Sequence, residues 1–209
     1  MSWHAFWGHF RTITRHRHMV IRHCRKAGIL WQGLRHDLSK YSPTEFFAGV
    51  RYYQDGKRSP NEAEREALGY SLAWMHHKGR NRHHFEYWWD YNPKTRRNEP
   101  VEMPIRFFAE MFCDRVAASK IYMQDKYTQA CPLQYFQRST AQKVGTIHPS
   151  TAAMLTEMLE LLANEGEDAA FAELRRRVKA AKQMRTRHHK RITNAVSYTH
   201  LTLPTKLEV

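Results

Sequence analysis

A histidine followed directly by an aspartate, His36-Asp37, sits inside an apolar, helix-patterned stretch from Trp31 to Lys40. Whatever fold the chain adopts must give that pair partners, because an unpaired carboxylate is expensive to desolvate. An ion pair with Arg35 or Lys40 is the plain solution. A divalent cation is the other, since imidazole and carboxylate together suit Mn, Fe, Ni, Co, Zn or Mg. Further clusters favour the cation: His16 before the pair, then His76-His77, His83-His84 and Asp114 after it. Any one of them alone reads as a hydrogen-bonded core residue, but five clusters would need five separate structural explanations.

The pattern around these residues is helical nearly throughout. Trp3, Phe6, Phe10, Ile13, Val20, Cys24 and Ala27 recur at helical spacing, and Gly28 closes that first helix. His16 falls on the same stripe, but His9 and His23 lie seven residues to either side and share nearly the same face. Spacing therefore does not separate the three, whereas His4 and His18 face solvent. Ser42-Pro43-Thr44-Glu45 reads as a capping box opening a helix through about Gln54 that buries Phe46, Phe47 and Val50. Asn61 is expected to cap a helix running to His77 or Lys78 and stopping at Gly79, with another helix from Arg82 and a polar loop from Tyr91 to Val101. Pro104 starts a helix with Phe107, Met111, Ala118 and Ile121 on one face, and Asp114 shares that face. Helices at about 133–144 and 150–163 follow, and a basic helix at about 167–192 closes an all-α bundle of seven or eight helices.

The 209 residues suffice for one domain with a real core, and 42% hydrophobic with 12% aromatic residues argues against disorder. No apolar run approaches the roughly 20 residues of a membrane span, and no signal-peptide order opens the chain. Cys24, Cys113 and Cys131 are widely spaced without a C-x-x-C, as expected of reduced thiols in a cytoplasmic protein. The net charge of +14 favours anionic partners, and Arg175, Arg176, Arg177, Lys179 and Lys182 begin a basic run on the last helix that is a solvated face or a nucleic-acid contact. From Val196 to Thr205 the helical character breaks, in a manner resembling translated sequencing adapter. Residues 195–209 are thus expected to be foreign to a domain spanning 1–194.

The order His16, His36-Asp37, Asp114 resembles the HD-domain superfamily of metal-dependent phosphohydrolases, whose ligands run H, HD, D on helices. More closely, G-L-R-H-D-L-S-K-Y-S-P-T-E-F from Gly33 and N-R-H-H-F-E-Y-W from Asn81 resemble a bacterial and phage family without an assigned activity, within or beside that superfamily, over about residues 10–165. The resemblance implies a principal metal on His16, His36, Asp37 and Asp114. His16 is preferred because the family's first histidine precedes a valine by four, as His16 precedes Val20. His83 and His84, with Glu86, loosely resemble the extra ligands of members that hold two ions. Lys40 matches the lysine of their H-D-x-G-K turn, with Ser39 in place of glycine. The activity implied is hydrolysis of a nucleotide or other small phosphorylated compound, with Asp37, Lys40 and His77 catalytic and Arg80 and Arg82 on the phosphate. Oxygenase chemistry at two irons, and a non-enzymatic protein that binds nucleic acid through the basic helix, are the alternatives.

Overall fold

A computed structural model describes residues 2–139 and 145–199, of which 188–199 are described by helical backbone alone. The chain is all-α in character: among the described residues α-helices dominate and a single short hairpin supplies the strands. α1 spans Trp3–Lys26, with the Ser2 hydroxyl accepting from the Ala5 amide at its start and Gly28 at φ 76° just past its end. α2 (Leu30–Gly33) and a 3₁₀ turn (Leu38–Tyr41) follow, then α3 (Pro43–Arg51), α4 (Pro60–Leu68) and α5 (Leu72–Arg80). After a second 3₁₀ turn (Phe85–Tyr87), β1 (Trp89–Asn92) pairs antiparallel with β2 (Arg97–Pro100), Trp89 opposite Pro100. α6 (Ile105–Met123), α7 (Cys131–Arg138), α8 (Pro149–Glu165) and α9 (Glu167–Thr199) complete the bundle.

The main core lies where α1 and α6 pack on each other and α9 packs on α6 and α8. Val20, Cys24, Phe108, Phe112, Leu155, Leu159 and Leu174 are wholly buried there. A smaller cluster of Ile13, Phe46 and Val50 joins α1 to α3. His16 lies between Ile13 and Val20 on α1, so the polar centre sits at the seam of the two clusters.

Several expected boundaries move, each for a local reason. Trp31 to Lys40 is not one helix: α2 ends at Gly33, and Asp37 takes a left-handed φ of 51°. Gly33 is required where it stands, because a Cβ there would lie 2.5 Å from the Cβ of Cys24. The helix expected from Asn61 to His77 divides at Gly69 (φ 81°), and the Ser71 hydroxyl restarts the chain as α5 by accepting from the Trp74 amide at 3.0 Å. Gly79 therefore lies inside α5. The stretch after Arg82 is turn and 3₁₀ rather than α-helix, bent by the Trp88 indole donating to the Arg82 carbonyl at 2.7 Å. The polar loop expected from Tyr91 to Val101 contains the hairpin. Phe47 is 47% exposed rather than buried, and α3 stops at Arg51, short of Gln54.

On α6 the buried face is centred on Phe108, Phe112 and Val116, with Phe107 and Ala118 at its margin. The helix expected at 133–144 is α7, ending at Arg138; residues 140–144 lie outside the described ones. α9 continues through Thr199, across the beginning of the stretch expected to break helical character, while 200–209 lie outside the described residues.

Candidate metal centre

The loop carrying His36-Asp37 is held by Arg17 of α1, whose Nε donates to the His36 carbonyl at 3.2 Å and whose Nη2 donates to the Leu34 carbonyl. The left-handed conformation of Asp37, which Asp and Asn tolerate better than most residues, sends the chain directly into the next turn. Both side chains of the pair are buried.

Around them the fold gathers three overlapping donor sets, each with ligand atoms within 4.8 Å of one another: Asp37, His77, His83 and His84; His16, His36 and Asp37; and His36, His83 and Asp114. Such sets could hold a metal ion. α1 gives His16, α5 gives His77, the turn beyond α5 gives His83 and His84, and α6 gives Asp114. His16 Nε2 lies 2.9 Å from Asp114 Oδ1, and His77 and His83 Nε2 lie 3.3 and 3.4 Å from Asp37 Oδ1. The Nε2 atoms of His16, His36, His77, His83 and His84, and both Asp37 oxygens, are buried without a well-formed hydrogen bond. Buried polar atoms are rarely left so, and their gathering in one place gives the chain a cluster that could hold a metal ion.

The far sides of the rings are tied down. Glu110, one turn before Asp114 on α6, accepts from Nδ1 of His36 at 2.9 Å and lies 3.3 Å from Nδ1 of His83. Its other oxygen accepts from Gln32. Glu45 accepts from Nδ1 of His76 and of His77, at 2.7 Å each. A carboxylate on Nδ1 fixes the proton there and turns the Nε2 lone pair inward, the arrangement that supports metal-ligating histidines. Glu110 and Glu45 were both missed in the sequence. Glu45 had been assigned to a capping box, but the Ser42 side chain caps nothing. Glu110 was detectable as a second acid on a buried helix face, four residues before Asp114.

Burial opposes a charge on His36, but the carboxylates of Asp37, Glu110 and Asp114 outweigh it and hold its pKa well above the ordinary imidazole value. Burial likewise opposes charge on Asp37 and Asp114, and the surrounding cations still keep both well below the usual carboxylate range. Glu110 is held at about 2 by the same imidazoles, against burial. His84 moves the other way: burial, then His83 and His77, push it well down. Lys40 Nζ, 2.7 Å from Asp37 Oδ2, stays charged despite burial because of Asp37 and Asp114.

Glu110→Gln cannot accept equally well from both rings, and is expected to weaken metal affinity by about 10–100-fold without unfolding the chain. Competition with a chelating dye measures it.

Not every expected residue joins the centre. His76 turns to Glu45 and is in none of the donor sets. Arg80 and Arg82 are exposed, and Arg82 lies over the rings of Tyr87 and Phe107. His23 donates from Nδ1 to the Cys113 carbonyl at 3.1 Å, and His9 packs on Phe46 and Tyr53. On α9, Arg176 and Arg177 are paired with Glu173, and Arg177 also with Glu157, which neutralises part of the basic face.

Burial pulls His9 and His23 down to about 4, so both are neutral in the fold at pH 7. An unfolded imidazole titrates near 6.5. Between pH 6.5 and about 4 the unfolded chain therefore binds protons that the folded chain refuses, and stability is lost as pH falls through that window. Each ring contributes at most about 3 kcal/mol. Urea unfolding at pH 7 and pH 5 should show the loss, and His9→Gln should reduce it.

A family model described as "Family of unknown function (DUF5662)" matches residues 5–161. The chain belongs to that family. No curated protein and no solved structure gives a match. The matched residues of this DUF5662 member include every residue of the three donor sets, together with Glu45 and Glu110.

Proposed function

We propose that the protein is a metal-dependent phosphohydrolase acting on a nucleotide or other small phosphorylated compound. The supporting observation is the set of buried, unsatisfied Nε2 and carboxylate atoms facing one another around Asp37. His16, His36, Asp37 and Asp114 would hold the principal ion, and His77, His83 and His84 with Asp37 offer room for a second. Their order along the chain, resembling the HD pattern, supports the reading. The mixed imidazole and carboxylate donors fit Mn, Fe, Co, Ni or Zn better than Mg, which prefers oxygen.

A bound cation of this kind brings the pKa of water from about 16 toward about 7 and polarises a phosphoryl oxygen. The chain's own residues supply the remainder. Glu110 and Glu45 hold the imidazoles in one tautomer. Lys40 keeps Asp37 ionised and stands at the wall of the adjoining cleft, where its ammonium can neutralise phosphate charge. His77, with Nδ1 held by Glu45 and Nε2 beside Asp37, serves better as a ligand than as the acid toward a leaving group.

Elemental analysis of the purified protein, before and after loading with Mn, Ni or Co, is the direct test, followed by a panel of phosphoesters. Bound metal and metal-dependent phosphate release are expected. A protein that takes up no ion under any loading condition overturns the reading.

A further inference from the structure

Beside the centre lies a small cleft of about 70 Å³, whose walls include Lys40, Glu45 and His77. Thr12, Tyr53 and Gly56 line it and also line a second, wider groove of about 550 Å³. The two hollows thus share a wall along α1, and the second is the more open to solvent.

The outer groove has a definite chemistry. Arg11 and Arg15, one turn apart on α1, are exposed and make no hydrogen bond or ion pair among the described residues. The one acid in its wall, Asp55, is bound to His4 at 2.8 Å. Trp3 and Trp7, 77% and 50% exposed, stand in the same wall. α1 carries no acidic residue along its length, so nothing on that helix offsets its cations. In the inner cleft the guanidinium of Arg58 is committed to Glu62 and Glu66 and the Lys40 ammonium to Asp37, so the unpaired guanidiniums of Arg11 and Arg15 belong to the outer groove.

Free guanidinium groups beside exposed indoles suit a ligand that alternates phosphates with flat aromatic faces. We infer that the groove along α1 binds single-stranded nucleic acid, with Arg11 and Arg15 on its phosphates and Trp3 and Trp7 against its bases. A duplex does not suit, because its base faces are already covered by stacking. A mononucleotide, with one base and one phosphate group, would leave part of the groove's paired guanidiniums and indoles unused. The inference stands apart from the phosphohydrolase reading: the groove binds whether or not the centre reacts.

The experiment is fluorescence anisotropy of a labelled single-stranded oligonucleotide, titrated at several salt concentrations. Wild-type protein is expected to bind it more tightly than the matching duplex. Arg11→Ala with Arg15→Ala should weaken binding at least about tenfold and flatten the log Kd against log salt slope by about 1.4, two phosphates at about 0.7 each. An unchanged thermal midpoint shows that the exposed substitutions leave the fold intact. Trp7→Ala should also weaken binding, which a purely ionic surface would not show. Binding undiminished in the arginine variant, no binding by the wild type, or equal binding of inorganic polyphosphate overturns the inference. Oligonucleotide binding without metal-dependent hydrolysis would remove the enzymatic reading and leave the groove; hydrolysis of a small phosphodiester without oligonucleotide binding would do the reverse.

Discussion

Asp37→Asn is expected to fold normally yet to lose its metal and to hydrolyse phosphoesters about 10³-fold more slowly, the effect of removing several kcal/mol of transition-state stabilisation. Asparagine keeps nearly the shape of aspartate and tolerates the left-handed backbone at this position, so the turn survives. What it removes is the charge that two donor sets share and that His36, Lys40, His77 and His83 all face. Alanine would also lose the preference for positive φ and confuse folding with chemistry. Metal stoichiometry, thermal midpoint and turnover measured on the same preparation separate these effects. A variant that retains both its ion and its rate would remove Asp37 from the centre.

The second large effect is on stability. With no ion, five inward imidazole nitrogens and Asp37 Oδ1 keep no well-formed hydrogen bond, and Asp37 Oδ2 has the Lys40 ammonium. An ion at about 1,000 times its dissociation constant should stabilise the native state by about 4 kcal/mol. For a chain of this size that raises the midpoint by about 8–16 °C. Differential scanning calorimetry with and without added Mn, Co, Ni or Zn reads it directly, and Asp37→Asn should abolish the shift. The gain must also shrink in acid. His36 holds its proton unusually firmly in the ion-free centre, so a cation has to displace it, and apparent affinity falls as pH drops below that raised value. A midpoint insensitive to every divalent ion would count heavily against the centre as a cation site.

The helical class and the end of the first helix were readable in the sequence because apolar spacing along α1 and Gly28 carry local signals. That His36, Asp37 and Asp114 need partners was also readable, since polar residues on buried faces require one another, whereas His16, His83 and His84 came from the family resemblance. Their supports were not readable. Glu45 follows Ser42 at the spacing of a cap, and only the placement of α5 against α3 reveals that it serves His76 and His77 instead. The choice among His9, His16 and His23 is similar: all three are buried as the stripe requires, and only the packing of α6 and α3 gives them different neighbours. The hairpin was lost because its strands are four residues each and mostly exposed, with no alternating pattern to betray them.

Those three histidines make α1 a ruler. At about 1.5 Å of rise per residue, seven residues set successive rings about 10 Å apart along one rod. His9 backs the inner cleft, His16 touches the acid of α6, and His23 is anchored in the main core. A ligand that pushes on the rod near Thr12 or Arg15 cannot move it without also shifting the ring of His16. The wall of the hollow at Thr12 and Arg15 and the ring of His16 are therefore carried by a single stiff element.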